Sequence, residues 1–463
     1  MFKKDVYSSR RYLLQKNISS GIVVLLGNTE SPINFEHNTY PFRQDSTFLY
    51  YVGIASPKLA LIIDIEEDKT ILFGNEMTID DIVWMGRLET LQEKAQMADV
   101  DQVLPFGELS SYIARAKSSQ RNIHFLPPYQ SHNKILLEEL LHISFQQLLP
   151  STELIKAVVA QRSIKEDIEI AEIEKAIHIS AEMHLLAMQM ARPGMKEYEI
   201  VNAIQGLAAG NNCPLAYAPI VTVHGEILHN AYRQNTLTSG DLVLNDSGAE
   251  TPLGYAGDLT RTFPVDRSFT DRQREMYNIV LSSFTDARDM LRPGIKFKDV
   301  HLRAATSLVE GLVAIGLMKG NPQEAVANHA HTMFFQCGLG HMMGLDVHDM
   351  EDLGEQFVGY TADEPKDTKT FGLKSLRLGK ALEPGNVLTV EPGIYIIPEL
   401  IDRWKAEKKN ADFINYDKLE EYRNFGGIRI EDDFLITGDG YRLLGPELIK
   451  TVQEIENYRA NYA

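Results

Sequence analysis

Five residues have the types and the settings for metal chemistry: Asp246 and Asp258 in GDLVLNDSGAETPLGYAGDLTRTFPV, His341 in GLGHMMGLDVHD, Glu391 in NVLTVEPGIY and Glu431 in GGIRIEDDF. Leu242–Leu244 and Thr260–Phe263 are short β-favouring runs with Ser, Gly, Thr and Pro between them, so the first stretch reads as an antiparallel hairpin with an aspartate on each arm. Either aspartate alone would pass for a turn cap. Brought together in an apolar sheet, the pair repels unless a cation lies between. Glu391 closes an apolar strand before Pro392 and is just as costly to bury without a positive partner. Four carboxylates and one imidazole form a hard, oxygen-rich donor set suited to Mn, Mg, Ca or Fe(II). Four acidic groups would balance two divalent ions, although spacing by itself points only to a metal.

The Glu431 strand has a period of two, with Arg429 and Glu431 on one face and Ile428 and Ile430 on the other. Without a metal, Arg429 and Glu431 would form a buried ion pair; with one, Arg429 is expected to orient the acidic ligands from behind. His348 follows His341 by seven residues. An isolated histidine in such a run is more often a satisfied core residue, so this pair gains its meaning from the motif around it.

The order and flanks of NDSG, AGDLTRTFP, GLGHMMGLDVHD, LTVEPGIY and GGIRIEDD resemble the metal-dependent "pita-bread" peptidases, the group of methionine aminopeptidase, aminopeptidase P and prolidase. The resemblance spans nearly the whole chain. It implies a dinuclear centre, usually manganese-loaded, with Asp246, Asp258, His341, Glu391 and Glu431 as ligands. It further implies that Glu391 doubles as general base, that His348 contacts substrate and stabilises the oxyanion, and that His229 in EILHNAYRQN faces the substrate. The likeness to prolidase is strongest, through WMGR at Trp84–Arg87, GLKSLR, and a long insertion after EPGIY. In prolidases the arginine matching Arg377 grips the free carboxylate of the dipeptide.

The implied activity is hydrolysis of the Xaa-Pro bond in small peptides with proline in second position. Xaa-Pro dipeptidase comes first and Xaa-Pro aminopeptidase, acting on longer peptides, second. A metal-free creatinase-like enzyme or a non-catalytic relative is a third reading. Two positions depart from the family pattern: Cys337 stands where histidine is common, and Asn230 where an aromatic residue follows His229. Neither supplies metal, so only fine substrate contacts are affected.

These side chains need a frame to hold them. Residues 1–155 alternate strand-like runs (GIVVLLG, KLALIIDI, KTILFG, QVLPF, NIHFL) with helical stretches such as Met77–Met85 and Lys134–Leu149, predicting a small α/β domain. Its YPFRQDSTFLYYVG segment resembles the N-terminal domain of aminopeptidase P and prolidase, and Phe48, Tyr50, Tyr51 and Trp84 are expected as core or packing residues, with an oligomer contact as the second reading. Residues 156–463 are expected to form an α+β, pseudo-twofold pita-bread catalytic domain. Ser163 and Glu166 read as a capping box for a long helix ending at ARPGM, and a second helix from Arg274 ends at LRPGI. ARPGMK and LRPGIK match at four of six positions, and each follows a helix and leads into another, which reads as an internal repeat. Both aspartates fall in the first half; His341, Glu391 and Glu431 fall in the second. Two polar insertions, 355–369 and 398–424, read as a surface loop and a charged, mostly helical excursion, passive insertions first and lid or rim segments second.

The 463 residues exceed what one core organises, and a net charge of −18 argues against a nucleic-acid partner. No apolar run approaches the roughly 18 to 20 residues of a membrane span. Two cysteines without a CxxC give no disulfide framework, so a cytoplasmic location is expected. A homodimer or higher homo-oligomer, formed through the N-terminal domain, is implied by the resemblance.

Overall fold

A computed structural model describes residues 1–462, which fold as two compact units: Met1–Arg162 with Met350–Phe357, and Ser163–Asp349 with the chain from Val358 onward. In the first unit a five-stranded sheet has the order Gln102–Pro105, Lys69–Gly74, Ala60–Asp64, Ile22–Leu26, Ile123–Phe125. Its inner pairs are antiparallel and its outer pairs parallel. Runs this rich in Ile, Leu and Val need cover, and helices supply it: Ile22, Val24, Ile62 and Phe73 pack with Ile113 and Leu137 in one core. Phe48, Tyr50 and Tyr51 are buried as expected. Trp84 is not; it is 86% exposed, on a helix, Ile79–Met85, that buries none of its residues. A reciprocal Thr78–Asp81 capping box, rather than packing, starts that helix.

The second unit repeats one plan twice. Helices Asp167–Met190 and Glu197–Gly210 form the first pair, Asp271–Arg288 and Phe297–Ala314 the second. Each pair turns at Arg-Pro-Gly, where Gly194 (φ 93°) and Gly294 (φ 81°) take the left-handed backbone that other residues avoid. The correspondence extends to hydrogen bonds. Gly194 N–H donates to Leu237 C=O (2.9 Å) and Leu237 N–H to Met195 C=O (2.8 Å); Gly294 donates to Leu382 (2.8 Å) and Leu382 to Ile295 (2.9 Å). The expected pseudo-twofold α+β architecture is therefore present down to single bonds.

Two helix starts differ from expectation. The first long helix begins at Asp167 with a reciprocal Glu166–Glu169 box, while Ser163 ends the preceding helix Thr152–Ser163. Lys165 breaks the helical run: its N–H donates to Gly385 C=O (2.9 Å) and its Nζ meets Asp349 at 2.8 Å. The second helix starts at Asp271, three residues before Arg274, because Thr270 and Gln273 cap it.

The insertions also resolve. Segment 355–369 is only partly surface, since Val358 and Tyr360 are buried and Glu364 binds Lys296 (2.7 Å) and Lys298 (2.9 Å). Segment 398–424 is helical as expected, and it buries Ile401 and Trp404. It docks on the C-terminal end of Phe297–Ala314: Asn415 N–H donates to Leu317 C=O (3.0 Å), and Lys418 Nζ to Ile315 C=O.

Candidate metal centre

Asp246 ends the strand Leu242–Asp246, opposite Thr260 in the antiparallel partner Thr260–Pro264. The hairpin continues past the strands, with Ser247 N–H donating to Leu259 C=O (3.1 Å) and Gly257 N–H to Ala249 C=O (3.0 Å), and this brings Asp258 back toward Asp246. The Thr260 edge then takes on the second half of the domain. Glu431 N–H donates to Thr260 C=O (3.1 Å), and the Thr262 hydroxyl accepts from Arg429 N–H and donates to Arg429 C=O, each at 3.1 Å. Glu391 follows the strand Val387–Val390, against which the His341 loop lies: Thr389 N–H donates to His341 C=O (3.0 Å) and Glu391 N–H to Leu339 C=O (2.8 Å). The approach is tight enough to require Gly340, whose Cβ, if present, would stand 2.1 Å from Thr389 C=O.

Asp258, His341 and Glu431 each offer a ligand atom, all within 4.8 Å of one another. His341 Nε2 lies 3.4 Å from Asp258 Oδ2 and 3.6 Å from Glu391 Oε1, while Nδ1 faces Met342 C=O at 3.1 Å. Arg429 reaches across to the Asp246 carboxylate through Nη2, to Thr260 Oγ1 through Nε (3.1 Å) and to the Tyr395 hydroxyl through Nη1 (2.9 Å). Glu431 instead accepts the Thr260 hydroxyl at 2.6 Å, so Arg429 and Glu431 do not form the simple ion pair of their shared face.

His341 pairs with Asp258 and Glu391, and Arg429 with Asp246. Burial and like charge act on three of the site's carboxylates. Burial first, then Asp258 and Asp246, push Glu391 up to about 7 against the opposing pull of His341 and Arg429. Burial likewise raises Asp246, and it raises Glu431 well above the usual carboxylate range. Convergent, desolvated oxygen donors fit hard divalent cations, and Asp246, Asp258, His341, Glu391 and Glu431 could hold them.

A pocket of about 370 Å³ opens on these groups, within the range of small-ligand sites. It is lined by all nine residues singled out in the sequence: the five candidate ligands, His229, His348, Arg377 and Arg429. His348 sits edge-on to His341 with ring centroids 4.3 Å apart, and His229 is exposed.

Two residues of the site escape a sequence reading. The Tyr217 hydroxyl stands between Asp246 Oδ1 (2.7 Å) and Asp258 Oδ1, and its single proton serves one carboxylate at a time. A lone tyrosine in PLAYAPI offers no spacing signal. Glu197 is fully buried and accepts from Val223 N–H (2.9 Å), Asn235 N–H (3.2 Å) and the Asn235 amide (3.1 Å to each oxygen). It thereby closes the segment 223–235, which carries His229, from both ends. In the sequence it looks like any acidic residue in a helix's first turn. Asn230, one of the departures from the family pattern, ties the same segment to Thr222 Oγ1 at 2.9 Å.

Fold and donor set together define a metal-dependent hydrolytic centre. Residues 171–438 match the model of metallopeptidase family M24, and residues 7–124 that of the aminopeptidase P N-terminal domain. Similar relatives include the Xaa-Pro aminopeptidase of Escherichia coli (strain K12), 32% identical over 98% of this chain and 97% of its own, and the Xaa-Pro dipeptidase of Rattus norvegicus, 33% identical over 94% and 88%. Among solved structures, proline aminopeptidase P II from Yersinia pestis superposes with a TM-score of 0.81 at 31% identity, covering 99% of this chain and 100% of that one. A zinc-substituted E. coli aminopeptidase P in complex with product gives 0.80 at 29% identity, covering 100% and 99%. The chain belongs to metallopeptidase family M24. The expected resemblance is borne out in both domains.

Proposed function

We propose that this protein hydrolyses the Xaa-Pro bond of small peptides at a centre of two divalent ions, manganese foremost, held by Asp246, Asp258, His341, Glu391 and Glu431. The observation that carries this reading is the convergence of Asp258, His341 and Glu431, whose ligand atoms lie within 4.8 Å of one another, with Asp246 and Glu391 lining the same pocket. When bound, such ions supply Lewis acidity to the scissile carbonyl and acidify a water. Glu391 accepts a proton from the attacking water and returns it to the leaving nitrogen. His348 donates to the carbonyl oxygen as charge develops there, His229 faces the substrate, and Arg429 keeps Asp246 in place. The Xaa-Pro bond lacks an N–H, so recognition rests on the proline ring and on charged ends.

Arg377 on the pocket wall favours a dipeptidase, because a guanidinium fork suits the free carboxylate of a C-terminal proline. The E. coli relative and the aminopeptidase P structures favour the alternative, an Xaa-Pro aminopeptidase acting on longer peptides. Manganese-loaded protein offered Ala-Pro and Ala-Pro-Ala separates the two. Under the dipeptidase reading, Arg377→Ala loses roughly 1.5 to 3 kcal/mol, on the order of 10 to 150-fold in kcat/KM, on Ala-Pro and much less on Ala-Pro-Ala. Equal losses move the assignment to aminopeptidase P, and hydrolysis indifferent to chelators sinks the metal reading altogether.

Self-association through the first unit is part of the proposal. Its support is the helix Ile79–Met85, which presents Ile79, Val83, Trp84 and Met85 to solvent, an apolar group that a second copy would cover. Sedimentation as a monomer at micromolar concentration would count against it. A cytoplasmic location is supported by the unbridged Cys213 and Cys337. No helix of the described residues is long and apolar enough to cross a membrane.

A further inference from the structure

Arg233 lines the same pocket as His229, and the reaction outlined above leaves it unused. Its Nη2 donates to Pro219 C=O at 3.2 Å, and Pro219 is itself on the pocket wall, which places the guanidinium there. Its Nε is buried without a hydrogen-bond partner, and among the described residues no carboxylate pairs with it. That is unusual in a chain with 64 acidic and 46 basic residues, since a partly buried cation is costly unless an anion answers it.

The surroundings place Arg233 beside the candidate ligands. Pro219 precedes Ile220, and Ile220 lies opposite Asp246 across paired strands. The carbonyl that Arg233 holds is therefore one strand step, about 3.4 Å, from the position facing a candidate metal ligand. The backbone is held as well: Arg233 C=O accepts Tyr198 N–H (3.1 Å), and Asn235 is clasped by the buried Glu197. Arg233 thus belongs to the segment that presents His229, whereas Arg377 reaches the pocket from a separate one, beside Ser375. With Arg377 matched to the carboxylate of a C-terminal proline, the remaining anion that a substrate can bring is an acidic side chain on the residue before proline.

We propose that Arg233 is a specificity residue that pairs with such a side chain, so that peptides beginning Glu-Pro or Asp-Pro are preferred. The proposal rests on the Xaa-Pro reading of the pocket. The guanidinium fork matches a carboxylate through two parallel hydrogen bonds, and neutral or cationic first residues cannot reproduce them.

The test compares Glu-Pro with its neutral isostere Gln-Pro, together with Glu-Pro-Ala and Gln-Pro-Ala, on manganese-loaded full-length protein. Wild type is expected to favour the acidic member of each pair by about 10-fold or more in kcat/KM. Arg233→Met, which keeps length and removes charge, should bring that ratio to near one, and Arg377→Met should leave the ratio intact. A wild-type ratio of one or below, or a ratio that survives Arg233→Met, overturns the proposal. Calorimetric binding of Glu-Pro and Gln-Pro to the Glu391→Gln protein reads the same preference without turnover. Equal affinities there overturn it even if hydrolysis fails for other reasons, whereas preferential Glu-Pro binding with no hydrolysis upholds it and places the failure in the catalytic reading.

Discussion

Asp64 in the first unit and Glu431 in the second are both buried acids, 0% and 2% exposed, and the protein treats them in opposite ways. Burial pushes Asp64 up, but Arg121, the Tyr112 hydroxyl (2.6 Å) and Glu67 N–H (3.0 Å) outweigh it and hold the carboxyl below its ordinary range. Burial also pushes Glu431 up, and there Asp258, Glu391 and Asp246 add to the push while Arg429 falls short of offsetting it. One unit closes its charges internally. The other accumulates like charge in a low-dielectric pocket, an arrangement that destabilises the protein alone and favours whatever cation completes it.

The contrast breaks most visibly at Glu391. Glu391→Gln should lower kcat by about 10² to 10⁴-fold while leaving the circular dichroism spectrum unchanged. A loss under tenfold would remove Glu391 from proton transfer.

A smaller effect sharpens the electrostatic side. The Glu391 carboxyl, pushed up to about 7 chiefly by burial, has a folded pKa above its ordinary value of 4.5. Its contribution to metal-free stability is therefore fully present below pH 4.5 and is lost as pH rises through 7, because the unfolded chain releases that proton first. Metal-free Glu391→Gln cannot ionise, so it should gain on wild type across this window by up to about 3 kcal/mol, measured by urea unfolding with chelator present. A difference that stays flat over the window would contradict the assigned environment.

The smallest effect is expected at the closed site. Asp64→Asn should cost about 1 to 3 kcal/mol of stability, toward the lower end because Glu66 still holds Arg121. Metal stoichiometry and kcat should not change. A neutral substitution would mean that the internal pairing contributes no stability.

What the sequence revealed, and what it hid, divides along the same physical line. The five candidate ligands stand out because a carboxylate or imidazole amid Val, Leu and Ile conflicts with burial, and the repeated RPG turns announce the twofold plan. Tyr217 and Glu197 were invisible because their residue types conflict with nothing locally; their roles exist only once Asp246, Asp258, Val223 and Asn235 arrive from elsewhere in the chain. Trp84 misled for the reverse reason, since an indole in an apolar helix predicts a core and here the helix has none of its own to join. The Ser163 box failed because Glu166 and Glu169 form a competing box that begins three residues later.

The excursion at 398–424 has a meaning for how such a protein can change over time. Its two ends are already neighbours, since Tyr395 pairs with Gly427 and Gly393 with Arg429 before and after it. Closing a longer loop on a stem of this kind costs only about 0.6 kcal/mol for each doubling of length. None of its residues lines the pocket, so the stem, not the inserted chain, sets how Glu391 and Glu431 face each other. Evolution can therefore lengthen, trim or replace this segment almost independently of the reaction, and an engineer could graft a reporter domain or open new chain termini there while the two glutamates keep their places.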